Sequence, residues 1–588
     1  MNAPRPKVPM SRRKFLQAGS TAGLLSSLGL SRAAAESNAA RPKKKPNIVF
    51  VFSDEHRWCS LPFTEMPEVV APNMTELARQ GTRFDNCCAT SPVCTPYRGI
   101  LITGQWPHQS SCISNDTFID PDVIGKTSPT IAHAFNRGGY RTGYVGKWHL
   151  RNETCAHAGF DYFKHWLYGD NHWETRVRDI PSGEDFTTVR GYNATGMTDQ
   201  AIEFIEESRQ GEDPFFLMLS INPPHWRWDD SPQEFYDLYP DENLPYRPNV
   251  VDAQKNSPKL HDYYRHYHGH ISAVDRELGR VMRVLDEAGI AEDTILIYTS
   301  DHGSSFGSNG LWNKANPFDE SVRVPFIVRW PGHVPAGAIA DHNLGTIDLF
   351  PTLCGLAGIQ TPETCTGQDF SKVFLGQPGG PDPETQLTLI NNFKRNYFHS
   401  RLVAGERGTY EPFRAVRGKR YSYAVDSEGD WFIYDNKADP FQMNNLAGDP
   451  TYAKVREKMA AELESWLAKA EYPYIPEEWR ALSLPERITA QNEYYCLIDF
   501  EADWEARKAE VIAPFIEDAT PGQAAKIRLL ADELVDRDYI GTYLAVRNER
   551  SGRKRVTELS EAELSTIMDR ADARLLGELE AGVRRILS

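Results

Sequence analysis

Acid, base and metal-binding side chains recur in this sequence at one kind of place, just after a short apolar run. Asn47–Phe52 leads into Ser53-Asp54-Glu55-His56, and Tyr144-Val145 into Gly146-Lys147-Trp148-His149. Phe215–Leu219 leads into Asn222-Pro223-Pro224-His225, and Thr294–Tyr298 into Ser300-Asp301-His302-Gly303. Asp54 and Asp301 offer carboxylate oxygens, and His302 adds a ring nitrogen. An oxygen-dominated set with one nitrogen suits a divalent cation, calcium or magnesium. His149 and His225 are groups that exchange protons near neutrality, as general acid-base work requires. Taken singly, each has a plainer reading: Asp54 fits a helix N-cap or turn, and His225 fits a structural turn histidine equally well.

The apolar runs that precede these residues are continuous rather than alternating, the pattern of strands buried on both faces of a parallel sheet. Phe326-Ile327-Val328 is a further run of this kind. Helical patterns lie between the runs, over Asn73–Arg79, Ser128–Asn136, Thr198–Ser208 and from about Lys259 to Ala288. Alternating strand and helix predicts a doubly wound α/β sheet. In such sheets the ligand crevice lies at the carboxyl ends of the strands, so the four polar tracts are expected to converge on one edge.

Cys94 opens the tract Cys94-Thr95-Pro96-Tyr97-Arg98-Gly99-Ile100-Leu101-Ile102-Thr103-Gly104. This tract resembles the first motif of the type I sulfatase family, C/S-x-P-S/A-x-R with a Leu-Thr-Gly-like end; Tyr97 stands where the family mostly carries Ser or Ala. Gly139-Tyr140-Arg141-Thr142-Gly143-Tyr144-Val145-Gly146-Lys147-Trp148-His149-Leu150 resembles the second motif, G-Y-x-T-x-x-x-G-K-x-H-L, at every fixed position. The resemblance covers roughly residues 45–470. It implies an alkaline-phosphatase-like fold: a large mixed, mostly parallel sheet sandwiched by helices, with a smaller C-terminal α+β subdomain.

The resemblance also implies a chemistry. In the family a maturation enzyme oxidises the cysteine to formylglycine (3-oxoalanine), an aldehyde that hydrates to a geminal diol. One hydroxyl attacks sulfur and displaces the substrate alcohol. The other loses its proton, the carbonyl re-forms and sulfate leaves, an exit that an ordinary serine ester lacks. Carried onto this chain, the metal set is Asp54, Glu55, the converted Cys94, Asp301 and His302, with calcium the expected ion and magnesium the alternative. The first acidic pair is Asp54-Glu55 where the family usually has two aspartates. Arg98, one helical turn after Cys94, would orient the diol. Lys147 and Lys314 would clamp sulfate, Lys314 lying in Gly310-Leu311-Trp312-Asn313-Lys314 ahead of Glu320-Ser321-Val322-Arg323-Val324-Pro325. His149 would receive the proton that releases sulfate, and His225 would protonate the departing alcohol. The expected activity is hydrolysis of a sulfate ester, on a carbohydrate or an aryl alcohol. The alternatives are a phosphonate monoester or phosphodiester hydrolase of the same superfamily and an unconverted, sulfated-glycan-binding protein.

The long-helix histidines His261, His266, His268 and His270 read as packing or substrate-rim residues in preference to a metal site. His56 and Arg57 are weaker candidates for the substrate pocket, and Trp58, Trp106, Trp226, Trp228 and Trp312 lie near the motif loops.

Bulk properties narrow the setting. The chain has 588 residues, 40% hydrophobic and 25% charged, long enough for two or three folding units. Ser11-Arg12-Arg13-Lys14-Phe15-Leu16-Gln17, the apolar stretch Ala18–Leu30 and Ala33-Ala34-Ala35 read as a twin-arginine signal over residues 1–35. A periplasmic or secreted protein is therefore expected, without a membrane span in its mature form. Residues 1–35 carry six Lys/Arg and no acid, so their removal takes the formal charge from −16 to −22. So acidic a chain disfavours nucleic acid as a partner; the partners expected are a sulfated small molecule or glycan and the formylglycine-generating maturase. The nine cysteines permit disulfides after export, with no pairing assigned by spacing.

The expected organisation is a signal peptide over 1–35, a catalytic domain over 36–384 and a subdomain over 385–472. The last carries short antiparallel strands at Phe413–Tyr423 and Asp430–Asp435, Asp439-Pro440, Asn444-Asn445-Leu446-Ala447 and a helix from Tyr452 to Ala468. Residues 473–588, charged and Glu/Arg-rich, read as a helical extension of unassigned role.

Overall fold

The computed structural model describes residues 45–391 apart from 116–118, 120–121, 167–171, 180–186, 241–243 and 245, then 412–471, and short segments between 477 and 586. The signal segment over 1–35 lies outside the described residues, as does most of the expected C-terminal extension. The chain divides into two compact units, Ala39–Ile390 with Gly408–Ala470, and the remainder.

The first unit is built on a sheet whose strands are, in chain order, β1 (Asn47–Ser53), β2 (Thr82–Phe84), β4 (Arg141–Lys147), β5 (Tyr162–Trp166), β6 (Trp173–Asp179), β7 (Thr187–Tyr192), β8 (Phe215–Ile221), β9 (Thr294–Ser300), β10 (Phe326–Arg329) and β11 (Ala338–Ala340). A two-stranded ribbon joins β3 (Cys87–Cys88) to β12 (Leu344–Gly345). The ten strands lie in the order β11-β2-β10-β9-β1-β8-β4-β5-β6-β7. The middle is parallel, β9-β1-β8-β4-β5, while β10 pairs antiparallel with β9 and β6 with β5. The sheet is thus mixed and mostly parallel, as expected.

Its two faces carry separate apolar layers, because side chains alternate along each strand. Ile48, Phe50 and Phe52 pack with Leu101, Ile102, Phe135 and Phe350. Val49 and Val51 pack with Met74, Leu77, Phe204, Tyr264 and Ile271. The helices that supply these layers include α1 (Pro72–Gln80), α2 (Cys94–Thr103), α3 (Asn193–Ser208), α4 (Pro258–Glu287) and α5 (Leu349–Ala357). The sequence-based helices over Asn73–Arg79 and Lys259–Ala288 match α1 and α4 to within a residue at each end; that over Ser128–Asn136 is Ile131–Arg137, α3 starts five residues before the expected Thr198, and α5 is not among the expected helices. Tyr97, the residue unusual for its motif, is buried in the Phe50/Phe52 layer, so its ring fills core volume.

A four-stranded antiparallel sheet, β13 (Thr385–Ile390), β14 (Phe413–Gly418), β15 (Tyr421–Asp426) and β16 (Gly429–Asp435), completes this unit. Helix α6 (Ala453–Ala470) buries Met459, Leu463, Trp466 and Leu467, and Trp466 Nε1 donates to Thr385 Oγ1 at 3.0 Å. The small sheet is tied by a buried ion pair to the short helix Asp319–Val322 ahead of β10 and to the turn after β2. Arg417 on β14 donates twice to Asp319, at 2.8 and 2.9 Å, and once to Asn86 Oδ1 at 2.9 Å. Burial alone would raise the Asp319 pKa, but Arg417, joined by Arg323 and Arg247, outweighs it and holds the carboxyl down at about 2. Removing one partner of a buried pair strands the other. Arg417→Met is therefore expected to destabilise the protein by about 3 kcal/mol in urea unfolding at neutral pH. A depressed acid contributes stability above its unfolded pKa and loses it as pH falls through the folded one. The gap between wild type and variant should therefore narrow as pH drops from the ordinary 3.8 towards about 2.

Cys59, Cys87, Cys88, Cys94, Cys112, Cys155, Cys354 and Cys365 are all free thiols. In the second unit, Ile512, Ile527, Leu579 and Val583 form a small apolar cluster. Among the described residues, no helix is long and apolar enough to cross a membrane.

Candidate active site

Sheet register assembles the site. Ser53 at the end of β1 pairs with Ser300 on β9 and with Ile221 on β8, and Gly146 on β4 pairs with Ser220 on β8. The next residue along β1 is Asp54, along β9 Asp301, and along β4 Lys147. Strands in step at their carboxyl ends therefore deliver two acids and a lysine to one place. Gly146 has φ +121, and a Cβ there would lie 1.9 Å from the Ser220 carbonyl oxygen. The close strand approach that brings Lys147 in thus needs glycine.

Helix α2 starts at Cys94 and is buried along its whole length. Pro96 in its first turn costs no hydrogen bond, and Gly104 closes it in the left-handed conformation at φ 66. Cys94 Sγ lies 3.2 Å from His302 Nε2 and 3.6 Å from Asp54 Oδ1. Arg98, one turn later, spans both acids: Nη2 donates to Asp54 Oδ2 at 3.0 Å and Asp301 Oδ2 at 3.1 Å. Its Nη1 donates to the Lys147 carbonyl at 2.6 Å and Ser220 Oγ at 2.7 Å. Lys147 Nζ is 2.8 Å from Asp54 Oδ2. Each acid thus gives one oxygen to Arg98 and turns the other towards Cys94 and His302.

Those remaining oxygens suit a cation. Ligand atoms from Asp54, Cys94, Asp301 and His302 lie within 4.8 Å of one another, all buried. His302 Nδ1 faces the Gly303 carbonyl at 3.0 Å. A carbonyl only accepts, so Nδ1 carries the proton and the Nε2 lone pair points into the cluster. Burial would raise the Asp54 pKa, but Lys147, His225, Arg98 and His302 together pull it well below the carboxylate range. Burial and the Asp54 charge push Asp301 upward. A carboxylate that repels its neighbour in this way is what a divalent ion would relieve.

Glu55 stands on the other side of Asp54, held at φ 71. Its Oε2 accepts from Lys314 Nζ at 3.1 Å, and its buried Oε1 has no hydrogen-bond partner among the described residues. A second group of possible ligand atoms joins Asp54, Glu55 and His225. His225 Nδ1 meets the Trp226 carbonyl at 2.7 Å, so Nε2 accepts from Lys314 Nζ, also at 2.7 Å. Burial, then Lys314 and Lys147, drive the His225 pKa well down, and the resting ring is neutral. His149 is carried in by the loop after β4, its carbonyl accepting from Thr95 Oγ1 at 2.9 Å.

Nine of the ten sequence-predicted residues are thus linked side chain to side chain in one buried cluster, and His149 is tied to it through its backbone. Sequence reasoning missed Ser220, which anchors Arg98; its only signal is being the one polar residue in the apolar run of β8. His56 is instead locked into the fold by Tyr298 Oη at 2.8 Å. Arg57 is fully buried, against the rings of Tyr264, Tyr267 and Phe306. The long-helix histidines part company: His261 bonds the Lys255 carbonyl, His266 bonds Ser231 Oγ and His270 bonds Tyr192 Oη, while His268 is buried with no hydrogen-bond partner for either ring nitrogen among the described residues.

The role expected of Lys314 carries a direct test. Lys314→Met removes a buried cation that faces both Glu55 and His225. It is expected to lower kcat/KM by about 10²–10³-fold, measured with any turned-over ester.

Comparison with known proteins bears on the fold and the family. The sequence profile of the family described as Sulfatase matches residues 46–359, and that described as N-sulphoglucosamine sulphohydrolase, C-terminal, matches 307–469. An ulvan-active sulfatase of Formosa agariphila is 31% identical over 438 residues, covering 72% of this chain and 81% of the relative. An N-acetylglucosamine-6-O-sulfatase of Bacteroides thetaiotaomicron is 25% identical over 520 residues, covering 75% and 89%. The crystal structure of a Bacteroides fragilis protein assigned to the sulfatases superposes with a TM-score of 0.63 at 25% identity, covering 74% of this chain and 99% of that one.

Proposed function

The chain belongs to the sulfatase family and is a sulfuric ester hydrolase; from that premise we propose that it hydrolyses sulfate esters of a carbohydrate through a formylglycine made from Cys94. The observation that carries the proposal is the meeting of Cys94, Asp54, Asp301 and His302 at one buried point, ringed by Arg98, Lys147 and Lys314. Calcium is the proposed ion, with magnesium the alternative; it would be held by Asp54, Asp301, His302 and the converted residue 94, with Glu55 beside them. Bound there, a divalent cation would supply Lewis-acid polarisation of sulfate and would lower the pKa of a neighbouring hydroxyl.

The protein's own groups do the rest. Arg98, fixed by four acceptors, orients the hydrate of residue 94. Lys147 and Lys314 meet the charge that grows on the sulfate oxygens. The role assigned to His225 is protonation of the leaving alcohol oxygen; Lys314 donates into its Nε2, which supports a proton passing from the pair to that oxygen. His149 takes up the proton released when the carbonyl re-forms. Three carboxylates, Asp54, Glu55 and Asp301, stand against three cations, Arg98, Lys147 and Lys314. A dication added to this balance leaves room for an ionised nucleophile and a singly charged ester, which a sulfate monoester is and a phosphate monoester at neutral pH is not.

A glycan substrate is supported by the named activities of the relatives. It is also supported by two exposed indoles beside the proton-transfer pair: Trp226, 39% exposed, follows His225, and Trp312, 37% exposed, precedes Lys314 by two residues. Such faces stack on pyranose rings. We further propose that Ser11–Gln17 directs twin-arginine export after a cytoplasmic maturase has converted Cys94, giving a periplasmic or secreted enzyme.

Intact-peptide mass spectrometry across residue 94 tests the nucleophile: conversion lowers the mass by about 18 Da, whereas other cysteine oxidations raise it. Rates on sulfated oligosaccharides, aryl sulfates and phosphodiesters test the substrate. An unmodified thiol in protein from the native host, or dominance of the phosphodiester, would overturn the reading.

A further inference from the structure

Outside the catalytic cluster, a second set of ligand-type atoms meets at one point. His172 lies just before β6, Asp230 in the loop after β8, and His270 in the middle of α4. Asp230 Oδ1 is 2.7 Å from His172 Nδ1 and 3.4 Å from His270 Nε2, and all three ligand atoms lie within 4.8 Å of one another. The imidazoles are fully buried and their ring centroids are 4.4 Å apart. The Arg227 carbonyl oxygen lies 3.2 Å from the same His270 nitrogen.

The surroundings hold these donors in place. The far side of His270 is held by Tyr192 Oη at 2.6 Å from Nδ1. Trp173 Nε1 donates to the Asp230 carbonyl at 2.7 Å, which fixes the backbone that presents the carboxylate. Metal-ligating histidines are typically oriented by such a contact on the second ring nitrogen. From the site we propose that His172, Asp230 and His270 bind a transition-metal cation of the zinc class. Two imidazoles and one carboxylate match zinc, with the Arg227 carbonyl or water as fourth donor. The donor set is softer than the oxygen-rich catalytic one, so the two sites would select different ions. The site would also serve catalysis at a distance, because Asp230 sits in the same loop as His225 and Trp226. An ion joining that loop to α4 and the start of β6 would hold the proton-transfer histidine and the exposed indole in position.

The competing account is a set of hydrogen bonds alone, both rings donating to Asp230, and metal analysis separates the two. The full-length protein is stripped with chelator, re-equilibrated with zinc and measured by elemental analysis. The Asp301→Asn variant, in which the catalytic acid pair is broken, is treated in parallel. The expected result is one zinc per chain retained in Asp301→Asn and lost when His270→Gln or Asp230→Asn is added, with zinc raising Tm only where the three residues are intact. Asp230 is partly exposed, so its isosteric amide guards against a mere folding defect. Cobalt substitution gives an independent signature, the visible absorption of a low-symmetry four-coordinate ion, expected in Asp301→Asn and absent from the double variants. No zinc in Asp301→Asn, or zinc unaffected by His270→Gln and Asp230→Asn alike, would overturn the proposal. Neither result bears on whether the chain is a sulfatase, because the readout is metal content and not turnover; the positioning role is read separately, as a fall in kcat/KM of His270→Gln and Asp230→Asn against the otherwise native chain.

Discussion

Cys94→Ala is expected to cut sulfate-ester turnover by about 10⁵–10⁶-fold, the loss seen when an enzyme is deprived of its nucleophile. The fold should survive. Position 94 is the first residue of α2, where alanine is a good helix former, and trading Sγ for hydrogen leaves a cavity costing only about 1 kcal/mol. Steady-state kinetics beside thermal unfolding checks both halves. Cys94→Ser, made without maturase, separates this chemistry from a plain serine mechanism. Its single hydroxyl has no second oxygen to expel the sulfate, so at most a single-turnover burst is expected, with sulfate left on the protein. Steady turnover by that unconverted serine would contradict the role given to residue 94.

Asp54→Asn should be nearly as severe, for a different reason. Asp54 is the hub of the charge network: it meets Arg98 and Lys147 through Oδ2 and faces Cys94 and His302 through Oδ1. The amide keeps the shape and removes the charge. Divalent-metal content should fall with it, and kcat/KM by about 10³-fold or more, since transition-state charge is stabilised by the preorganised cations and the ion they help to seat. In metal-free protein the change leaves Lys147 without its carboxylate partner. Stranding a buried charge costs about 3–5 kcal/mol, visible as a lower urea midpoint. The sign with pH follows from Asp54 lying well below the usual carboxylate range. Its contribution is complete above the unfolded pKa and is lost only in strong acid. The difference between the two proteins should therefore stay constant through neutral and mildly acidic pH and close only far below it. Full metal occupancy in the variant would remove Asp54 from the ligand set.

Much of this site was legible in one dimension because its residues lie just beyond strands that read plainly as continuous apolar runs. An apolar strand buried on both faces must end where the chain meets polar surroundings, and Asp54, Lys147, His225 and Asp301 are what it meets there. The two motifs added Cys94 and Arg98, one helical turn apart. The register, by contrast, appears only in three dimensions: Ser53 opposite Ser300 is a consequence of packing both faces of β1 at once. The same holds for which side of Asp54 the neighbouring Glu55 takes, and for Lys314 reaching His225 across 89 positions.

The histidines of α4 make the contrast sharpest. His266 and His270 share a helical face, which spacing predicts, but one turns to Ser231 and the other to Tyr192 and Asp230. Nothing at positions 172, 230 and 270 relates them in the chain, because they come from three separate elements. By itself the sequence determined the five contiguous strands β10, β9, β1, β8 and β4, the helices α1, α3 and α4, and the chemical kind of those strand ends, since these follow from local side-chain pattern, while the shorter and more polar strands β2, β5, β6, β7 and β11 carry no such pattern. Only the tertiary structure decided which ends lie side by side, which acid faces which cation, and that a second cluster forms at all. These are long-range contacts, set by the simultaneous packing of two apolar layers, and no local stretch of residues encodes them.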